Sequence, residues 1–136
     1  VVAIYHRIKN DLYGWLITRK ELWILGFLFE TIGDAQLKQF IADPANKGRL
    51  MMKGLWQYTR HPNYFGEALM WWGIWVIAIP SGFALWTIVS PLILTYLLRF
   101  VSGFAMTEER WKNKSDFAVY KKRTNAFIPW FPRKYE

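Results

Sequence analysis

The sequence predicts an all-α chain: a multi-spanning membrane helix bundle with an antiparallel transmembrane hairpin and a basic cytoplasmic tail. Three observations lead there. Residues 83–106 hold Arg99 as their only charge and are long enough to cross a hydrocarbon core of ~30 Å as a helix. Residues 64–79 form a second apolar run, with Glu67 near its start. Hydrophobic residues make up 53% of the chain while charged residues still supply 21%, so the charges are segregated into the flanks of the apolar runs.

Taken in order, residues 1–18 suit the tail of an earlier span and its connecting loop. A helix is expected over 22–41, apolar as far as Phe29 and then carrying Glu30, Asp34 and Lys38. Arg19-Lys20-Glu21 marks its expected start, because each charge at the centre of a membrane helix costs ~2.5–3.5 kcal/mol. Asp43-Pro44 marks its end. The spans 64–79 and 83–106 are joined at Pro80-Ser81-Gly82, a tight turn that makes the two antiparallel. Pro91 should kink the later span. Residues 107–136 form the tail. The whole of 1–136 reads as one membrane domain, and the opening Val1-Val2-Ala3-Ile4 leads us to expect that it is the C-terminal part of a longer chain.

Orientation follows from the basic residues. Lys38, Lys47, Arg49, Lys53 and Arg60 flank or fill the 42–62 loop, and the tail carries eight more between Arg110 and Lys134. The Pro80 turn carries none, so the loop and the C-terminus are expected in the cytoplasm. The net charge of +8 then reads as loop anchoring against an anionic membrane surface, with no nucleic-acid partner. The chain has no cysteine, which removes thiolate metal sites and cysteine nucleophiles, and its isolated histidines suggest no metal centre. No Gly-rich phosphate loop or nucleophile-elbow motif is present, so soluble nucleotide-binding and hydrolase readings have no support.

Ionisable residues inside membrane helices are costly and mark functional sites. Glu30, Asp34 and Lys38 repeat at i, i+4, i+8 and form one polar stripe, either a structural pair at the interface or the wall of a cofactor cavity. Asn63 and Glu67 share a face in the same way. Between them and the loop lies Arg60-His61-Pro62-Asn63-Tyr64. Pro62 suits a first helical turn, whose free N–H groups and positive dipole end, together with the Arg60 guanidinium, suit a phosphate or carboxylate. Asn63 and Glu67 offer partners for a nicotinamide carboxamide or an amino-acid ammonium. The Trp71-Trp72 pair and Trp75 read as packing or lipid-facing groups. Arg99 is expected to need an acidic partner such as Glu67 or Glu109, and Glu108-Glu109 either face the cavity or are solvated.

The stretch Gly54-Leu55-Trp56-Gln57-Tyr58-Thr59-Arg60-His61-Pro62-Asn63-Tyr64-Phe65-Gly66-Glu67 resembles the signature of membrane enzymes that group steroid 5-alpha-reductases, sterol reductases and isoprenylcysteine carboxyl methyltransferases. Gly33-Asp34-Ala35-Gln36-Leu37 and the tail from Tyr120 to Pro132 are similar to a reductase-like bacterial branch of that superfamily, long carried as a domain of unknown function. The resemblance implies an integral membrane oxidoreductase that reduces a conjugated carbon–carbon double bond of a lipophilic, steroid-like or isoprenoid-like substrate with NADPH. It implies cofactor binding by Asp34, Arg60, His61, Asn63, Tyr64 and Glu67, with the proton donor in an N-terminal half that this chain lacks. The methyltransferases share Arg60, His61, Pro62 and Tyr64 and carry paired glutamates like Glu108-Glu109, which makes S-adenosylmethionine-dependent methyl transfer to a lipid or lipidated substrate the alternative.

Overall fold

The computed structural model describes residues 1–79 and 85–134, with all of their side chains except those of 16–18. Every regular element among the described residues is helical. Helix α1 is Val2–Ala42, α2 is Pro62–Ala78, α3 is Val89–Tyr96, α4 is Gly103–Trp111 and α5 is Phe117–Arg123. A 3-10 turn at Leu85–Ile88 and a π turn at Leu97–Val101 join α3 and α4 into one continuous run, Leu85–Trp111. That run is the one helix among the described residues long and apolar enough to cross a membrane.

Helix α1 departs from the expected start near Leu22. It is unbroken from Val2, and at ~1.5 Å per residue its 41 residues extend about 60 Å. Arg19, Lys20 and Glu21 are exposed on its surface, and the Arg19 guanidinium lies 4.7 Å from the Trp15 ring centroid. Their charge sets a price on burial in lipid but does not oppose helical backbone, so the triplet limits a span without ending a helix. The end at Asp43-Pro44 is as read. Asp43 takes an extended conformation (φ −85°, ψ 115°), as a residue preceding proline must, and its carboxylate accepts a bond from Ala45 N.

Helices α1 and α2 pack antiparallel through glycines. A Cβ on Gly26 would stand 2.6 Å from Gly66 O, one on Gly66 would stand 2.5 Å from Glu30 N, and one on Gly73 would stand 2.8 Å from Trp23 N. The two backbones therefore approach more closely than any side chain permits, the small-residue packing that suits helices in lipid. On its other side α2 meets the Leu85–Trp111 run, where Trp72 Nε1 donates to Thr95 Oγ1 (2.9 Å) and Trp75 Nε1 to Thr87 Oγ1 (3.1 Å). Trp71 stays exposed. The Pro80-Ser81-Gly82 turn lies outside the described residues. Pro91 falls in the first turn of α3, where its missing N–H costs little, and the preceding turn tightens to 3-10. A second irregularity, the π turn, was not expected. It returns to α-helix at Gly103, where an added Cβ would stand 2.9 Å from Leu98 O and 3.2 Å from the Tyr64 ring.

The core lies at one end. Trp56, Phe104 and Tyr120 are buried there, together with Thr59, Arg60, His61, Pro62 and Thr124. The 43–61 loop is fixed to α1 by Leu55 N donating to Gln36 Oε1 (3.0 Å) and Trp56 Nε1 donating to Gly33 O (3.1 Å). The tail closes over the loop: Tyr120 Oη donates to Trp56 O (2.6 Å), and Arg60 N to Asn125 O (2.9 Å). Burial pushes the Tyr120 phenol well above its ordinary range, so the hydroxyl stays a donor. Elsewhere the helices present large apolar side chains outward, among them Ile74, Trp86, Leu92 and Ile93.

Candidate functional site

The site forms where α2 begins. Pro62 is the first residue of the helix, and the Asn63 side-chain oxygen Oδ1 accepts a bond from Tyr64 N (3.0 Å). The Asn63 amide in turn donates to Asp34 Oδ1 across to α1 (3.3 Å). Asp34 and Glu67 both lie close enough to Glu30 to act on it electrostatically, so the two acidic positions read from the sequence share one neighbourhood.

Arg60 and His61 are held differently from the sequence expectation. Arg60 is 6% exposed and its guanidinium is committed to the protein: Nε donates to Glu108 Oε1 (2.8 Å), and Nη1 to the carbonyls of Lys121 (3.1 Å) and Thr124 (3.2 Å). Three of the five guanidinium donors are thus engaged within the protein and Glu108 supplies the counter-charge, which leaves an anion the two hydrogens of Nη2. The residue ties the start of α2 to the end of α4 and to the tail. His61 is 1% exposed and sits 3.1 Å from the same Glu108 oxygen through Nε2. Its ring stacks on Phe104 (centroids 4.0 Å apart) and lies parallel to Trp111 (5.3 Å, 4°). Burial lowers the His61 pKa below its ordinary value, outweighing the pull of Glu108, and Arg60 and Arg99 push the same way. The imidazole is therefore neutral at pH 7, donates from Nε2 to Glu108, and leaves Nδ1 without a partner. An ion pair with Glu108 exists only at acid pH.

Arg99 corrects another expectation. It makes no ion pair among the described residues. Its guanidinium carbon lies 4.9 Å from the Phe100 centroid and 5.2 Å from that of Phe104, so aromatic faces take the place of the expected carboxylate. Of the glutamate pair, Glu108 is structural and Glu109 is solvated, paired with Lys112 one helical turn on.

Beside this cluster opens a cavity of about 370 Å³. Its apolar wall comes from α1 (Leu37, Phe40, Ile41) and from Leu50 and Met51. His61, Asn63, Tyr64 and Thr107 contribute polar edges, and Trp56 and Trp111 aromatic ones. Arg49, Arg110 and Lys114 complete the lining, and none of the three is ion-paired among the described residues. Of the positions expected from the sequence, His61, Asn63 and Tyr64 line the cavity, Asp34 accepts from Asn63, Glu67 lies one turn further along α2, and Arg60 is not among the lining residues. The three cations were read from the sequence only as topology markers. Arg110 lies in α4 and Lys114 in the turn that follows it, so no helical repeat in the sequence marks them as a pair. No group of side chains among the described residues is arranged to hold a metal ion.

The chain belongs to the family described as Protein of unknown function (DUF1295), whose model matches residues 1–124. It is 28% identical over 110 residues to the 3-oxo-5-alpha-steroid 4-dehydrogenase 1 of Macaca fascicularis, covering 80% of this chain and 38% of that protein. It is 27% identical over 110 residues to the Homo sapiens protein of the same name, covering 80% and 39%. An uncharacterised protein of Schizosaccharomyces pombe is 34% identical over 82 residues, covering 60% of this chain and 27% of that one. These likenesses put the chain in the steroid 5-alpha-reductase-like superfamily, and it spans about two fifths of the length of the two steroid dehydrogenases. No solved structure matches it.

Proposed function

Taking membership of that family as the premise, we propose that the chain supplies the cofactor-binding part of an integral membrane oxidoreductase. The enzyme reduces a carbon–carbon double bond conjugated to a carbonyl, in a lipophilic steroid-like or isoprenoid-like substrate, with NADPH. The observation that carries the reading is the composition of the cavity wall: Arg49, Arg110 and Lys114 without carboxylate partners among the described residues, beside neutral polar and aromatic groups. A pyrophosphate and a 2′-phosphate make NADPH a polyanion, and each charge-assisted contact is worth ~1.5–3 kcal/mol. The cavity also falls within the ~300–1,000 Å³ typical of small-molecule sites.

The chain's own residues would act by binding and orientation. The cations take the phosphates. Asn63, fixed by Asp34 and by Tyr64 N, keeps one amide hydrogen for a carboxamide oxygen. Trp56, Trp111 and Tyr64 offer ring faces. The bound cofactor supplies the hydride. The acid that protonates the substrate's enolate is assigned to a part of the enzyme outside this chain, as the resemblance to the steroid reductases implies. In this reading the enzyme is multi-pass, with spans in α1, α2 and Leu85–Trp111, and the 42–62 loop and tail in the cytoplasm, where NADPH is found. Membrane lipid and the lipophilic substrate are its partners, and no nucleic acid is involved.

The alternative cofactor, S-adenosylmethionine, carries one carboxylate and a sulfonium cation. Three unneutralised cations would repel the sulfonium, and the glutamates that might balance it are committed, Glu108 to Arg60 and His61 and Glu109 to Lys112. Calorimetry of the detergent-solubilised protein with each cofactor in parallel decides between them. Saturable NADPH binding is expected. Micromolar S-adenosylmethionine binding without NADPH binding would replace the reductase with the methyltransferase.

A further inference from the structure

The tail ends in an irregular segment whose backbone is fixed and whose side chains face outward. Thr59 Oγ1 donates to Phe127 O (2.7 Å), Trp130 N to Tyr58 O (3.0 Å), Asn125 Nδ2 to Ile128 O (3.2 Å) and Arg133 Nη1 to Asn125 Oδ1 (2.6 Å). Held this way, Ile128, Trp130 and Phe131 are 66%, 65% and 73% exposed. A flexible tail could hide such groups by collapsing on itself, but this one is pinned open. Three large apolar side chains on a rigid backbone call for an apolar environment.

Two further observations identify that environment. The first is depth. Phe127, just before the segment, packs between Phe65 in the first turn of α2 (5.6 Å) and Phe104 in the first turn of α4 (5.1 Å). The exposed trio therefore sits level with the start of the apolar part of α2, at the boundary of the proposed bilayer. The second is charge. Lys121, Lys122, Arg123, Arg133 and Lys134 flank the trio and are all exposed, with no acidic residue between positions 117 and 134. Tryptophan at the headgroup level with cations beside it is the combination that partitions to an anionic lipid interface.

We propose that segment 128–131 is an interfacial anchor, which seats the tail on the anionic leaflet of the membrane and so holds α5 and the 43–61 loop at a fixed height over the cofactor cavity. The proposal rests on the membrane reading of Leu85–Trp111 but not on the identity of the cofactor. A protein partner, or a helix of the complete enzyme, would cover the same apolar groups without needing the cations.

The chain has no cysteine, so single cysteines can be introduced for nitroxide labels. Phe131→Cys, Ile128→Cys, Asn113→Cys and Ile93→Cys would be reconstituted separately in phosphatidylcholine vesicles with and without about 30% phosphatidylglycerol. Collisional accessibility to oxygen and to a water-soluble nickel chelate reads depth. We expect the labels at 131 and 128 to favour oxygen, as a label at the headgroup boundary does. The label at 113 should read as aqueous and that at 93 as deep. Including phosphatidylglycerol should lower nickel access at 131 several-fold. Replacing Lys121, Arg123 and Lys134 together with glutamine should abolish that difference. Labels at 131 and 128 that read like 113, that are shielded from both reagents, or that ignore the anionic lipid each overturn the anchor. A label at 93 that reads aqueous would remove the membrane reading along with it.

Discussion

Removing the Glu108 carboxylate tests the central cluster directly. In Glu108→Ala, Arg60 keeps its two carbonyl partners but loses its counter-charge while only 6% exposed, and His61 loses the acceptor for Nε2–H. Breaking a fully buried pair from one side costs ~3–5 kcal/mol. The Glu108 side chain is 21% exposed, so water can replace part of it, and about 2–3 kcal/mol is expected in all. At ~3–5 °C per kcal/mol for a chain of this size, that is a fall of about 10 °C in the melting temperature in detergent. Glu108→Gln keeps a carbonyl oxygen for both donors and should lose less than half as much. If both variants melt within about 2 °C of the parent, the cluster is not what joins α2 to α4 and the account of Arg60 fails.

Three other outcomes follow from the same geometry. Arg110→Gln should weaken NADPH binding roughly 10- to 150-fold, an effect that shrinks in high salt, while leaving the melting temperature unchanged; titration at two ionic strengths checks it. Gly66→Ala forces α1 and α2 apart and should cost about 1–3 kcal/mol or more, read as a lowered melting temperature, with Gly14→Ala as the control because nothing lies within 4 Å of its added methyl. Because burial lowers the His61 pKa, the unfolded chain binds a proton in the range just below 6.5 that the folded chain does not, so stability should fall as pH drops through that range. Melting between about pH 7.5 and 5.5 in the parent and in His61→Asn measures this, and an equal fall in both would assign it elsewhere.

What was legible in the sequence is what depends on local pattern. The helical runs, the stop at Asp43-Pro44, the helix start at Pro62, the stripe of Glu30 and Asp34 and the shared face of Asn63 and Glu67 all follow from spacing and composition, whereas the meeting of Asp34 with Asn63 across two helices does not. What was not legible depends on which distant group arrives at a residue. Arg60 beside a helix N-terminus reads as an anion site until Glu108, 48 positions on, is seen to neutralise it. Gly26 and Gly66 are ordinary glycines in sequence, and only the approach of two backbones gives them a role. The start of α1 leaves no mark at Arg19-Lys20-Glu21, because charge is costly in lipid but does not oppose helical backbone. The π turn leaves no mark in composition, since its residues, Leu97–Val101, would suit an α-helix equally well.

The distribution of carboxylates accounts for how one end of the chain can be both stable and receptive. Arg49, Arg60, Arg110 and Lys114 gather around the positive end of α2, an arrangement that self-repulsion would open if none were neutralised. None of the nearby acids is ion-paired to the cavity cations among the described residues: Asp34 accepts from Asn63, Asp116 accepts from Leu50 N with one oxygen (2.9 Å) while its other oxygen is buried without a partner, and Glu108 serves the buried Arg60. The most deeply buried cation, for which an absent partner is costliest, therefore receives the counter-charge. The cations at the cavity wall, where water can screen them, receive none. Had Glu108 paired with Arg110 instead, the fold would have lost its clamp and the cavity its attraction for phosphate. A ligand polyanion thus enters a site whose unmet electrostatic demand lies where it costs stability least and adds most to binding.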